Sequence, residues 1–245
     1  PALLAIILTV AVMVLFAWAV QKYIFRHLVG QEPIILFMAT IGLAYFLEGV
    51  GDLMWNSEIK KLDVGLPQGI NEAIDSYTFN IFDYGFFIDN LDIVATLIAA
   101  LLVGGLVIFS QYSKEGRAMR AVADDHQAAL SVGVSLNFIW IMVWSVAGFV
   151  ALVAGIMWGT KSGVQFSLSL IALKALPVLM LGGFTSIPGA IVGGLIIGVG
   201  EKLFEFAIGP MVGGATENWF AYVLALIFLV FRPQGLFGEK IIERV

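Results

Sequence analysis

Residues able to do acid–base or metal chemistry are few in this sequence and widely spaced. The two histidines, His27 and His126, fall in separate polar stretches, and no HExxH, GxSxG or paired-carboxylate pattern accompanies them. Cysteine is absent, which removes disulfides, thiolate metal sites and cysteine nucleophiles. Gly159-Thr160-Lys161-Ser162 comes nearest to a phosphate loop. Such a loop needs Gly and Lys adjacent, so that the lysine reaches phosphates cradled by the loop amides. Thr160 separates them here, and nucleotide binding is not expected. No catalytic residue and no metal ligand is expected anywhere in the chain.

The remaining polar candidates lie in or beside apolar runs. Lys174 sits inside a short one, where a charge is costly. It either extends along its stem to the membrane interface or lines a polar pathway. Glu48 with Asp52, and Glu201, Lys202 and Glu205, end other runs; these read as interfacial charges, the latter also as external contacts for a protein partner. The stretch Gly182-Gly183-Phe184-Thr185-Ser186-Ile187-Pro188-Gly189 separates two apolar runs. Freed backbone groups at membrane depth are tolerated only when buried in protein or facing water. Gly182, Gly183, Ser186, Pro188 and Gly189, with Lys174, therefore form either a gating or pathway element or, for the glycine stretch, a plain turn between helices. Gly193, Gly194 and Gly198 recur at the small-xxx-small spacing begun by Gly189 and are read as helix-packing positions.

One polar segment, 113–136, has helical character. Written as a helix, it puts Met119, Val122, Ala123 and Leu130 on one side and Arg117, Arg120, Asp124 and Gln127 on another. Arg120 and Asp124 have the spacing of a surface ion pair. Ala118, Ala121 and Ala128 would let a partner surface approach closely. Such a segment is either a solvated connecting helix or a docking helix.

Composition decides what positions these groups. Apolar types make up 60% of the 245 residues and charged types 13%, against about 45–50% and about 25% in soluble domains. The fold class is an all-α integral membrane protein, a polytopic transmembrane helix bundle. Spanning takes about 20 apolar residues, and five stretches qualify: Ala2–Val20, Ile34–Gly51, Ile93–Gln111, Asn137–Gly159 and Pro188–Phe206. With the shorter Leu170–Gly183 and Asn218–Phe231, broken or re-entrant in form, the total is about seven membrane segments. Basic residues cluster after the first span (Lys22, Arg26), after the third (Lys114, Arg117, Arg120) and in the tail (Arg232, Lys240, Arg244). These regions, the C-terminus included, are expected on the cytoplasmic side. The acidic stretch 53–92 is expected outside, and the span count agrees with a cytoplasmic C-terminus if Leu170–Gly183 crosses. The net charge of −5 gives nucleic-acid binding no support. The opening Pro1 reads as a missing natural start, with further spans expected before it.

Several strings together resemble one family. Glu115-Gly116-Arg117-Ala118-Met119-Arg120-Ala121, the acidic pair Asp124-Asp125, and Ala129-Leu130-Ser131-Val132-Gly133-Val134 resemble the cytoplasmic loop of bacterial high-affinity branched-chain amino acid ABC importer permeases. The resemblance continues through Leu173-Lys174-Ala175, Leu181-Gly182-Gly183, Ser186-Ile187-Pro188-Gly189-Ala190 and Gly193-Gly194. It ends with Arg232-Pro233-Gln234-Gly235-Leu236-Phe237-Gly238. The first hundred residues match by hydropathy alone. Permeases of urea and short-chain amide importers are similar to the C-terminal half. The resemblance implies one permease domain over 1–245 in a bacterial inner membrane, with ATPase-coupling residues Glu115, Gly116, Arg117, Ala118, Arg120, Ala121, Asp124 and Ala129. It implies as partners a second homologous permease, two cytoplasmic ATPases, a periplasmic or extracellular binding protein and lipid. ATP and Mg would be bound by the ATPases and no cofactor by this chain. A secondary transporter or channel is the rival; the absence of an acid near any span centre weighs against ion coupling. An intramembrane enzyme lacks a reactive constellation, and a non-transporting scaffold is opposed by the resemblance alone.

Overall fold

The computed structural model describes residues 2–28, 31–66, 76–81, 84–184 and 186–238. Runs rich in Leu, Ile, Val and Ala form the long helices α1 (Ala2–Tyr23) and α2 (Pro33–Trp55). Two strands follow, β1 (Ser76–Ile81) and β2 (Tyr84–Asp89), then α3 (Asn90–Tyr112). Next come the short helices α4 (Lys114–Asp124) and α5 (His126–Ser131) and the 27-residue α6 (Leu136–Ser162). The last part holds α7 (Ser169–Leu173), α8 (Ala175–Gly182), α9 (Ile187–Val212) and α10 (Glu217–Phe231).

Among the described residues, α1, α2, α3 and α6 are each long and apolar enough to cross a membrane. At 1.5 Å per residue they run roughly 33–40 Å, enough for a hydrocarbon core about 30 Å thick. Their apolar side chains are mostly exposed, as with Leu15, Phe46, Leu101 and Phe149, which suits lipid and not water. A fifth crossing arises if the residues up to Gly182 and α9, bent by 114° at the intervening turn, count as one broken span. The stretch expected as Leu170–Gly183 is thus two helices of five and eight residues, divided at Lys174. Fifteen-residue α10 is apolar but short.

One departure from a purely helical chain lies in the acidic stretch. Strands β1 and β2 pair antiparallel, with Ser76 opposite Asp89 and Ile81 opposite Tyr84. Tyr, Phe, Thr and Ile favour a pleated pair over a helix. The expected outside position of Asp63, Asp89 and Asp92 falls on described residues, whereas Glu72, Asp75 and Asp83 lie outside them.

Two compact units divide the chain, 1–166 and 167–245. In the first, α1 packs along α6: Phe25, in the turn after α1, stacks on Trp144 with ring centroids 4.9 Å apart, and Ala17, Val20 and Gln21 are buried. Lys60 and Val164 exchange backbone hydrogen bonds of 3.0 and 2.7 Å, tying the segment after α2 to the segment after α6. In the second, Leu181, Ile197 and Ala221 form a core that Val178, Leu224, Phe228 and Leu236 complete.

Candidate functional site

The segment joining α3 to α6 is an elbow built by two caps. Ser113 ends α3 and starts α4: its hydroxyl donates to the Phe109 carbonyl at 2.6 Å, and its oxygen accepts the Gly116 amide at 2.8 Å. A Cβ on Gly116 would stand 2.3 Å from the Phe109 oxygen and 2.7 Å from Ser110 Cα, so only glycine lets α4 turn away so tightly. Asp125 starts α5, its Oδ1 accepting the amides of Gln127 at 2.7 Å and Ala128 at 3.0 Å. Those amide bonds, Ala128's foremost, hold the Asp125 carboxyl below the usual aspartate range. Neither cap was singled out as a cap from sequence, although Ser or Asp directly before a helical run is the signal for one.

An apolar patch fixes the elbow to α6. Val122, Ala129 and Ile139 are buried together, with Ala118, Met119, Val134, Leu136 and Val143 packed on them. This corrects the face expected from periodicity: Ala123 and Leu130 are exposed, and Ala118 and Ala129 take their places. The chain leaves helical geometry at Asp125 (φ −153°, ψ 111°), so a single helical wheel loses phase there. Glu115, Arg117, Arg120, Ala121 and Asp124 face outward. Arg120 and Asp124, spaced for an ion pair, are not among the ion pairs of the described residues. Among the described residues the Arg117 guanidinium donates only to the Tyr112 carbonyl, at 3.4 Å. Gly116, Ala118 and Ala129 therefore build the elbow, while Arg117, Arg120 and Asp124 are presented by it.

A second constellation gathers the glycine stretch and the tail. Gly182 and Gly189 stand so close that a Cβ on either would lie 2.2 Å from the other's carbonyl oxygen. Gly193 lets α9 meet α8, since a Cβ there would lie 2.7 Å from the Val178 oxygen. Gly183 closes α8 with φ +101°, and Gly235 faces it with φ +77°; a Cβ on Gly235 would come 2.7 Å from the Gly183 nitrogen. The amides of Leu236 and Phe237 donate to the carbonyls of Leu181 and Gly182 at 2.8 and 3.1 Å. Ser186 Oγ accepts the Gly189 amide at 3.1 Å at the start of α9, with Pro188 in the first turn. The carbonyls freed at the end of α8 are thus taken by the chain itself. A Cβ on Gly194 would make an ordinary contact with Val178, and among the described residues nothing would lie within 4 Å of one on Gly198. Thr185 lies outside the described residues.

The model of the family described as branched-chain amino acid transport system, permease component, matches residues 2–232. The chain belongs to that family. It is 30% identical over 233 residues to the high-affinity branched-chain amino acid transport system permease protein BraD of Pseudomonas aeruginosa, covering 94% of this chain and 72% of that one. It is 27% identical, with the same coverage, to the corresponding permease protein LivH of Escherichia coli K12. A more distant likeness, 29% over 174 residues, reaches the autoinducer 2 import system permease protein LsrC of Salmonella paratyphi B, covering 70% of this chain and 45% of that one. No solved structure matches the chain.

In this permease the charges at the far end of α9 are knotted together. Lys174, at the break between α7 and α8, places Nζ 3.2 Å from Glu201 Oε1 and donates to the Glu217 carbonyl at 2.9 Å. Only 31% of the Lys174 side chain and 12% of the Glu201 side chain are exposed. The Oε1 contact is an ion pair without hydrogen-bond alignment, and Nζ also donates to Oε2 at 3.4 Å. Lys202 pairs with Glu217 at 2.7 Å, and Glu205 accepts from both the amide and the hydroxyl of buried Thr216. Lys174 thereby ties the broken segment to α9 and to the start of α10. The partners of Lys174 are 27 and 43 positions away, which is why spacing alone missed them.

Proposed function

We propose that this permease is the membrane-spanning subunit of an ATP-binding-cassette importer that brings a branched-chain amino acid or a similar small polar solute into the cytoplasm. The supporting observation is the elbow: a rigid, capped, two-helix foot whose apolar side is spent on α6 and whose outward side carries Glu115, Arg117, Arg120 and Asp124. Its use is to seat against a cytoplasmic ATPase. Ser113 and Gly116 lock α4 to the end of α3, and the Val122–Ala129–Ile139 patch locks it to the start of α6. A push on the elbow therefore moves two spans as one body, the kind of rigid displacement that alternating access needs.

ATP and Mg belong to two partner ATPases, and this chain performs no hydrolysis. The exposed apolar flanks of the spans leave room for a second, related permease and for lipid. The hairpin of α8 on α9 and the short α10 supply the further membrane segments that bring the total to about seven. The elbow and the C-terminus face the cytoplasm of a bacterial inner membrane, and the stretch around 53–92 faces a binding protein outside. The sequence names of the relatives support branched-chain amino acids ahead of urea or amides.

The test is uptake into proteoliposomes that hold the full-length permease with the companion permease, ATPases and binding protein encoded beside it. Labelled leucine, isoleucine or valine entering only when ATP is supplied is the expected result. Uptake driven by a proton or sodium gradient without ATP would overturn the reading in favour of a secondary transporter.

A further inference from the structure

At the end of α3 away from the elbow, the first unit holds a cavity of about 530 Å³. The span of α3 separates the two by 23 residues, roughly 34 Å. The cavity falls in the size range of small-molecule sites. Its floor is apolar, from Ile59, Leu62 and buried Leu91. Two glycines keep its wall close-fitting: a Cβ on Gly159 would lie 3.1 Å from Leu62 Cδ2, and one on Gly163, which has φ +79°, would lie 2.5 Å from Ile59 Cγ2. The wall includes the Gly159-Thr160-Lys161-Ser162 string that no nucleotide role explains.

The charges around this floor are arranged in an unusual way. Lys161 is neutralised by Asp92 at 2.6 Å. Lys61 and Asp89, of opposite sign and lining the same cavity, are in none of the ion pairs among the described residues. Asp89 directly precedes α3 yet makes no capping hydrogen bond to it. An ammonium and a carboxylate standing apart over an apolar floor complement a zwitterion that carries an aliphatic side chain. Urea, a sugar or a simple anion would leave at least one of the two charges unanswered, and selectivity is a difference of that kind.

We propose that this cavity is a receiving site for a free aliphatic amino acid. Asp89 takes the α-ammonium, Lys61 takes the α-carboxylate, and Ile59, Leu62 and Leu91 hold the side chain. The proposal rests on the importer reading and adds to it a selective site in the permease itself, at the opposite end of α3 from the elbow.

The experiment uses the purified importer of full-length subunits, with the binding protein left out, and labelled leucine as the probe. Wild type is expected to bind leucine. Asp89→Asn and Lys61→Gln are each expected to weaken binding roughly tenfold or more, the loss of one charged hydrogen bond. Asp89→Glu and Lys61→Arg, which keep the charges, are expected to retain binding and guard against a simple folding loss. Two analogues divide the roles. Against 4-methylpentanoate, which lacks the ammonium, Asp89→Asn is expected to lose discrimination; against 3-methylbutylamine, which lacks the carboxylate, Lys61→Gln is expected to do so. If wild type transports leucine with ATP but both neutral variants bind it as wild type does, the proposal falls and the importer reading stands. If those variants lose only the stimulation of ATPase activity by the binding protein, the cavity is a protein-docking point and the proposal also falls. Absence of ATP-driven leucine uptake by wild type removes the importer reading, and the proposal with it.

Discussion

The elbow at α4–α5 and the glycine constellation around Gly182 both carry strings that resemble the same family, yet they use them in opposite ways. In the elbow, Ser113, Gly116 and Asp125 satisfy the backbone, and Arg117, Arg120 and Asp124 are left facing outward. In the glycine constellation, Gly182, Gly183, Gly189 and Gly235 bring backbone against backbone, and the carbonyls that the turn would expose are taken by the tail amides of Leu236 and Phe237. A motif that presents charged side chains asks for a partner. A motif made of glycines in van der Waals contact with main chain is already partnered by its own chain. Under the proposed function, coupling would belong to the first region and architecture to the second.

The sharpest way to break that contrast is to fill the glycine contacts. Gly182→Ala or Gly189→Ala puts a methyl group where a carbonyl oxygen stands 2.2 Å away. Neither side can yield like a flexible side chain, so the loss is expected to exceed the about 1–3 kcal/mol of ordinary overpacking. Heating in detergent, followed by the fraction that still elutes as a single species, reads it; wild-type survival would mean that the end of α8 and the start of α9 are not packed together. Next in size is Lys174→Met, which strands the largely buried Glu201 carboxylate. About 1–2 kcal/mol is expected, less than for a wholly buried pair because both side chains keep some water. The same assay on Lys174→Met with Glu201→Gln should recover part of the loss. No recovery would show that Lys174 acts mainly through the Glu217 carbonyl.

Smaller effects separate the two regions further. The Asp125 carboxyl is held below its unfolded value by the α5 amides, so its contribution is fully present above the unfolded value of about 3.9 and is lost as pH falls through the lower folded one. Protection factors of the Gln127 and Ala128 amides should therefore drop in strong acid in wild type but not in Asp125→Asn, since Asn caps as well as Asp. Equal acid sensitivity in both would remove the cap from the account of the elbow. Smallest of all, Gly198→Ala should change stability by within about 1 kcal/mol, tending to stabilise the helix, because among the described residues nothing would lie within 4 Å of the added methyl group. Weaker association with the companion permease in that variant, read by co-elution, would place the second subunit on this face of α9.

The long helices were legible from the sequence because length and apolarity suffice for them, and the break near Lys174 was marked by that charge within an apolar run. The elbow's faces were half legible. The wheel found Met119 and Val122, then misplaced Leu130 because α4 and α5 meet at an extended residue, Asp125. The contact between Gly183 and Gly235 was not legible: the residues lie far apart in sequence, and backbone-to-backbone packing leaves no side-chain pattern to detect. Likewise Lys61 and Asp89 share one cavity, although Lys61 precedes the strand pair and Asp89 ends it, and a purely helical reading did not include those strands.

The elbow's role in coupling is tested most directly by co-purifying the full-length permease with its ATPase, comparing wild type with Arg117→Glu plus Arg120→Glu. Both arginines are exposed and lie outside the apolar patch, so the double variant is expected to fold and elute as wild type does while losing the ATPase. An ATPase that stays bound to the double variant, or that never associates with a well-folded wild type, would contradict the assignment of the elbow.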